Sequence, residues 1–361
     1  MFESRKTIAF LLIALLAGVL LITGCEGANE PSTESSENTG TVSDSGEVNL
    51  FTTRHYDTDQ QLLELFEAQS GIKVNVVNAG ADKLLERIEL EGEDTQADLL
   101  LTADAGRLHI AKERDLLQSV QSETLFNNIP DKLRDRDDTW FGLTKRARVI
   151  VYAPDRVDPS ELSTYEALSD PKWRGRIAMR TSNNIYNQSL MASFIELWGE
   201  EKALQWAEGL KENLAREPQG NDRAQATAVA SGEADLAIMN TYYIGRMLNS
   251  ADPEEVKVAS DVEIFFPSQE TDGTHINVSG IAVTKHAKNP GNAIKLMEFL
   301  SEAEAQKLFA EANNEFPANP EVEWTSWLQG LGEFKEQDLD LTVLGDNHSR
   351  VIMVWDRGGF Q

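Results

Sequence analysis

From Val48 onward, short runs that read as β-strands alternate with stretches of helical period, and this alternation narrows the fold more than any other feature of the sequence. Val48–Thr53 reads as a strand. Leu62, Leu63, Leu65 and Phe66 then recur at helical spacing until Gly71. Lys73–Val77 is a second strand, Ala81–Leu90 a helix, Ala97–Thr102 a third strand and Arg107–Leu117 a helix. A second set follows, with strands at 148–152, 177–179, 234–239, 262–265 and 277–283. Its helices are expected at 189–198, 201–210, 224–231 and, as one long element, 293–309. Alternation of this kind predicts βαβ units and a mainly parallel sheet. Apolar runs such as Leu99–Leu101 fit strands buried on both faces.

The N-terminus sets the compartment. Arg5 and Lys6 precede an apolar run from Ile8 to Ile22, which stops at Thr23-Gly24-Cys25. A basic start, an apolar core and a small-residue stop mark residues 1–24 as a secretory signal. The run is shorter than the roughly 20 residues of a comfortable membrane span. Ile22-Thr23-Gly24-Cys25 resembles a bacterial lipobox, which implies lipid on Cys25 and an extracytoplasmic, membrane-anchored protein. Cys25 is the one cysteine in the chain, so no internal disulfide and no thiolate-based site is expected. Residues 25–47 are rich in Glu, Gly, Ser, Thr and Asn without apolar period and read as a flexible tether.

The remaining residues exceed one ordinary domain and imply two lobes with a cleft between them, where ligand sites prefer to lie. A net charge of -27 argues against nucleic acid or anionic lipid surfaces as partners, since both need a basic face.

Six tyrosines occur: Tyr56, Tyr152, Tyr165, Tyr186, Tyr242 and Tyr243. Four follow a strand or a short extended segment, where a parallel sheet presents its loops. Neighbours on a continuing strand point to opposite faces, so Tyr242 and Tyr243 converge only in a turn or at a helix start. Asn240-Thr241 supplies such a turn. A phenol ionises near pH 10, and holding it ionised at neutral pH needs a strong cation close by. Fe³⁺ is hard and highly charged and matches phenolate oxygen, whereas zinc and copper prefer imidazole and thiolate. Four phenolates and an imidazole carry about -4 against +3, and Arg146 or Arg54 is placed to supply the balancing charge. Tyr152 and Tyr165 read as packing residues. Asp82 reads as a helix cap without an iron role. His109, His275, His286 and His348 read as surface or core.

Arg54-His55-Tyr56 after the first strand, Tyr186 in a Ser/Asn loop, and the Tyr242-Tyr243 pair together resemble the ferric-ion-binding proteins of bacterial iron ABC transporters, in their cyanobacterial-type branch. The resemblance runs from Asn49 to about Phe316 and includes Trp173-Arg174-Gly175-Arg176-Ile177 and Gly232-Glu233-Ala234-Asp235. It implies an α/β, two-lobed type-2 periplasmic-binding-protein fold with an interlobe cleft. One lobe is expected from 48–145 plus 273–323, and the other from 146–272 plus 324–361. It also implies iron ligation by His55 or Tyr56 together with Tyr186, Tyr242 and Tyr243, with Arg146 and Arg54 nearby. A monomer that passes Fe³⁺ to the permease of an ABC importer is expected. Some relatives add an exogenous anion and a carboxylate from the second βα region. Here that region reads Asn78-Ala79-Gly80-Ala81-Asp82-Lys83, so the need for an anion stays open.

A polyamine, sugar or oxyanion in the same fold is the competing expectation, with aromatic stacking or an Arg146–anion pair as the recognition. An enzyme is disfavoured, since the chain has neither a His/carboxylate iron triad nor a Gly-x-Ser-x-Gly elbow.

Overall fold

The computed structural model describes residues 46–54 and 56–360. The signal, Cys25, the expected tether as far as residue 45, and His55 lie outside the described residues; Gly46 and Glu47, expected in the tether, already belong to the first strand.

The strands are β1 (Gly46–Thr52), β2 (Ile72–Asn78), β3 (Leu99–Thr102), β4 (Phe141–Tyr152), β5 (Ile177–Ala178), β6 (Leu236–Asn240), β7 (Glu263–Phe265), β8 (Ile276–Val283) and β9 (Phe316–Pro317). They run β2-β1-β3-β8-β4-β6-β5, with β7 and β9 paired to β4 off this path. β4 joins the two halves. Its first part, Phe141–Ala147, pairs with β8, and its second part, Arg148–Tyr152, pairs with β6. All twelve residues of β4 and all eight of β8 are buried.

The sheet is mixed, not mainly parallel. β1 pairs in parallel with β2 and β3, and β5 with β6. β8 and β4 run antiparallel to their neighbours. An apolar run reads the same in either direction, so periodicity alone cannot reveal strands that return through long connections instead of βαβ crossovers.

Two helices also differ from expectation. The long helix breaks at Glu302, which is extended, into Pro290–Ser301 and Ala303–Asn313. The freed carbonyls are taken up by tertiary partners: Gln306 donates to Leu300 O at 2.7 Å and Asn319 to Ser301 O at 3.0 Å. The helix after β3 spans Ala105–Glu113, starting at an Asp104 cap and ending before Asp115, whose φ of 58° is left-handed.

Packing beneath the second half is aromatic. Phe194 stacks on Trp198 at 4.0 Å and meets Trp206 edge-on at 4.8 Å. Truncating such a buried ring typically costs about 3–5 kcal/mol. This core supports the helix Ile185–Trp198, whose first turn carries Tyr186.

Candidate metal centre

Four tyrosines occupy helix starts. Asn240 is extended, and the helix Thr241–Leu248 begins directly after it, which puts Tyr242 and Tyr243 in its first turn. Consecutive helical residues are about 100° apart, and here the two rings stack at 4.3 Å with 28° between planes. Asn184 caps the helix Ile185–Trp198 by accepting from Tyr186 N at 3.1 Å. The Oη atoms of Tyr186 and Tyr242 lie 3.3 Å apart. Tyr56 is the N-cap residue of Asp57–Ser70. Helix N-termini carry partial positive charge, so a phenolate is better tolerated there than elsewhere on a helix.

Arginines surround the phenols. The guanidiniums of Arg146, Arg148 and Arg180 lie 5.8, 5.6 and 5.4 Å from the Tyr186 ring centroid. Arg146 and Arg148, two apart on β4, share one face of the strand. Asp222, fully buried, accepts from Arg148 Nη1 at 2.8 Å, from Arg180 Nη1, and from Asn240 N at 2.9 Å. Two of the three cations at Tyr186 thus share the Asp222 carboxylate, while Arg146 Nη1 donates to Ser279 Oγ at 3.2 Å. The Nε atoms of all three are buried without a hydrogen-bond partner among the described residues. Arg246, one turn beyond Tyr242, lies 4.0 Å from the Tyr56 ring centroid.

The cost of ionising these phenols without a metal is high. Burial pushes the Tyr242 and Tyr243 phenols well above their ordinary value, and the charges of Tyr186, Tyr56 and Asp222 raise them further, against which a hydrogen bond with Tyr242 eases Tyr243 only in part. Burial also raises Tyr56, followed by the negative charge of Glu315, while Arg54 and Arg246 pull the other way. Beside them His275, fully buried, is held down to about 3 by burial and by the charges of Arg148 and Arg146, despite a bond to Gln337. It is a neutral imidazole at neutral pH.

The structure gathers Tyr56, Tyr186, Tyr242, Tyr243, Arg54 and Arg146 around one region, while His55 falls outside the described residues. Tyr152 and Tyr165 are buried packing residues. Sequence reasoning missed Arg148, Arg180, Asp222, Arg246 and Glu315, while His275, read as surface or core, is buried. The spacing Arg146-Ala147-Arg148 within an apolar strand was the available signal for Arg148, because unpaired charges there are costly. Asp82 is not the cap of its helix; extended Gly80 is, since the helix starts at Ala81, two residues earlier than a cap at Asp82 would require. Asp82 instead pairs with Arg107 Nε at 3.1 Å. Both line a polar cleft of about 790 Å³ beside Tyr186 and Tyr243, with Arg180, Asn183 and His348. Among the described residues no group of three or more His, Cys, Asp or Glu is placed to hold a metal. The oxygens converging here are phenolic.

Comparison with known proteins gives consistent matches. Residues 61–336 match the model of a family described as bacterial extracellular solute-binding protein. The iron uptake protein A1 of Synechocystis sp. is 50% identical over 315 residues, 87% of this chain and 88% of that protein. The major ferric iron-binding protein of Neisseria meningitidis is 26% identical over 317 residues, 86% of this chain and 93% of that one. Among solved structures, a Trichodesmium protein (IdiA, FutA) in complex with iron and citrate ligands superposes with a TM-score of 0.84. It is 48% identical, with 88% of this chain and all of that one covered. The ferric binding protein from Campylobacter jejuni also gives a TM-score of 0.84, at 42% identity, covering 87% of this chain and 100% of that one. The α/β, two-lobed type-2 periplasmic-binding-protein fold expected from the sequence is the fold these structures share with it.

Proposed function

Because the chain belongs to the bacterial extracellular solute-binding proteins, in their ferric-binding branch, we propose that it captures Fe³⁺ between its lobes through tyrosine phenolates and hands it to an ABC importer. It is a transport component, not an enzyme. The observation that carries the reading is the 3.3 Å approach of the Tyr186 and Tyr242 hydroxyls, with the Tyr243 ring stacked on Tyr242. Phenols facing each other this closely become phenolates together only against a strong cation, and a trivalent hard ion supplies that field. Tyr56, with or without His55 beside it, completes the set. Arg146, with Arg148 and Arg180, offsets the surplus negative charge of the phenolates, and Arg54 stays outside the ligand set, tied to carboxylates. Adding ferric citrate to purified protein is expected to produce a visible phenolate-to-iron charge-transfer band. Protein that stays colourless, with no iron by elemental analysis, sinks the reading.

The polar cleft beside Tyr186 and Tyr243 has room for an iron chelate, and the Trichodesmium relative is described with iron and citrate. Arg107 and Arg180 there suit a carboxylate. Iron entering as a carboxylate chelate is therefore the second reading, and retention of radiolabelled citrate after desalting tests it. A polyamine, sugar or oxyanion would instead bind the iron-stripped protein in calorimetry.

The protein acts outside the cytoplasm, as periplasmic relatives do. Lipid on Cys25 would anchor it there, and fatty-acid labelling that survives Cys25→Ala would exclude that anchor. The lobes follow residues 48–145 plus 273–323 and 146–272 plus 324–361, joined at β4. A monomer in light scattering and docking to a membrane permease complete the proposal, and binding to permease-free membranes alone would count against the docking step.

A further inference from the structure

Glu315 is buried at 2% exposure, and its segment reaches both Arg54 and the helix that carries Tyr242 and Tyr243. Its carboxylate accepts from Arg54 Nη1 at 3.0 and 3.3 Å. Arg54 is fixed on all sides. Its Nε and Nη2 donate to Asp59 at 2.9–3.2 Å, and Nη1 also reaches Ser279 Oγ at 2.9 Å. Burial alone would push the Arg54 guanidinium down, but Glu315 and Asp59 more than offset this and hold it up. From that fixed point the guanidinium lies 5.1 Å from the Tyr56 ring centroid, two residues along the chain. Asp59 in turn accepts from Tyr56 N at 3.4 Å.

The chain around Glu315 reaches the other side of the cluster. Asn314, left-handed at φ 56°, ends the helix Ala303–Asn313 and packs on Gly245 so closely that a Cβ there would meet the Asn314 Cβ at 2.7 Å. Gly245 belongs to the helix that starts with Tyr242 and Tyr243. Directly after Glu315, β9 pairs with Thr144–Lys145 of β4, next to Arg146. Arg146 Nη1 donates to the same Ser279 hydroxyl at 3.2 Å. Residues 314–317 therefore touch the Tyr242–Tyr243 helix, the crossing strand and Arg54.

We propose that Glu315 is a positioning residue for the Tyr56 phenol: through Arg54 it fixes where that oxygen meets iron held by Tyr186, Tyr242 and Tyr243. This rests on the iron reading above. An acidic residue that merely balanced a buried arginine would be needed equally whether or not Tyr56 carried its hydroxyl. A positioning residue loses its effect on iron once that hydroxyl is gone.

The test is a double-mutant cycle of Glu315→Gln and Tyr56→Phe on full-length purified protein, read by the charge-transfer band and by competition with citrate for iron. Glu315→Gln alone is expected to weaken iron retention about 10- to 100-fold, the range usual for outer partners of metal ligands, and to shift the band. In the Tyr56→Phe background the same change is expected to do nothing further, and Glu315→Asp is expected to restore part of the loss. Equal weakening in both backgrounds, or an unchanged band and retention in Glu315→Gln, overturns the proposal. If Glu315→Gln does not fold by circular dichroism, Glu315→Asp carries the same cycle, with an intermediate loss that vanishes beside Tyr56→Phe. A wild-type protein without band or iron removes the iron reading and this proposal together. A wild-type band with an additive cycle removes this proposal alone.

Discussion

The phenols at the cleft sit in two unlike settings. Tyr186, Tyr242 and Tyr243 lie at helix starts, with the guanidiniums of Arg146, Arg148 and Arg180 around the Tyr186 ring and the Asp222 carboxylate pairing Arg148 and Arg180. Tyr56 caps a different helix beside Arg54, whose charge is taken up by Asp59 and Glu315, and beneath Arg246. The first setting gathers guanidiniums at the Tyr186 ring, yet burial and the neighbouring phenols and Asp222 hold Tyr242 and Tyr243 well above their ordinary value. The second is balanced, and Glu315 works against ionising Tyr56. The difference teaches that ligands of one chemistry need not be equivalent. Tyr186, Tyr242 and Tyr243 contact one another directly, whereas Tyr56 comes from a separate helix with its own arginines and carboxylates, so on the proposed reading it is the easier one to release.

The contrast is broken most severely by replacing both Tyr242 and Tyr243 with Phe. Colour and iron retention are expected to vanish while circular dichroism stays unchanged, because ring packing survives and only two oxygens are lost. A double variant that keeps the band would place the metal elsewhere. Tyr56→Phe is the sharper and milder probe. Iron is expected to remain bound with a weaker band and faster loss to citrate, and a loss as complete as in the Tyr242/Tyr243 variant would erase the distinction between the two settings.

The smallest effect concerns protons. Burial raises the phenols of Tyr56, Tyr242 and Tyr243, so the metal-free protein holds them neutral and iron must displace their protons. Retention therefore weakens as pH falls, since protons compete for the same oxygens. Calorimetry in buffers of different ionisation enthalpy should show one fewer proton released per iron in Tyr56→Phe than in the wild type. Equal release in both would mean that Tyr56 does not ligate as phenolate.

Much of this was legible before any coordinates. The strands around Leu99–Leu101 and Arg148–Tyr152 follow from apolar patterning, and the Tyr242–Tyr243 pair pointed to a turn or helix start, which Thr241–Leu248 supplies. Six tyrosines in fixed places and one cysteine at position 25 narrowed the chemistry to hard oxygen donors. Tertiary structure alone decided the antiparallel course of β4 and β8, because a strand's sequence does not state its neighbour's direction. It also decided the charges around the phenols. Asp222 and Glu315 look like ordinary acidic residues in a chain of net charge -27, and only burial against Arg148, Arg180 and Arg54 gives them weight. Electrostatic influence depends on distance and on exclusion of water, and neither is written in residue order.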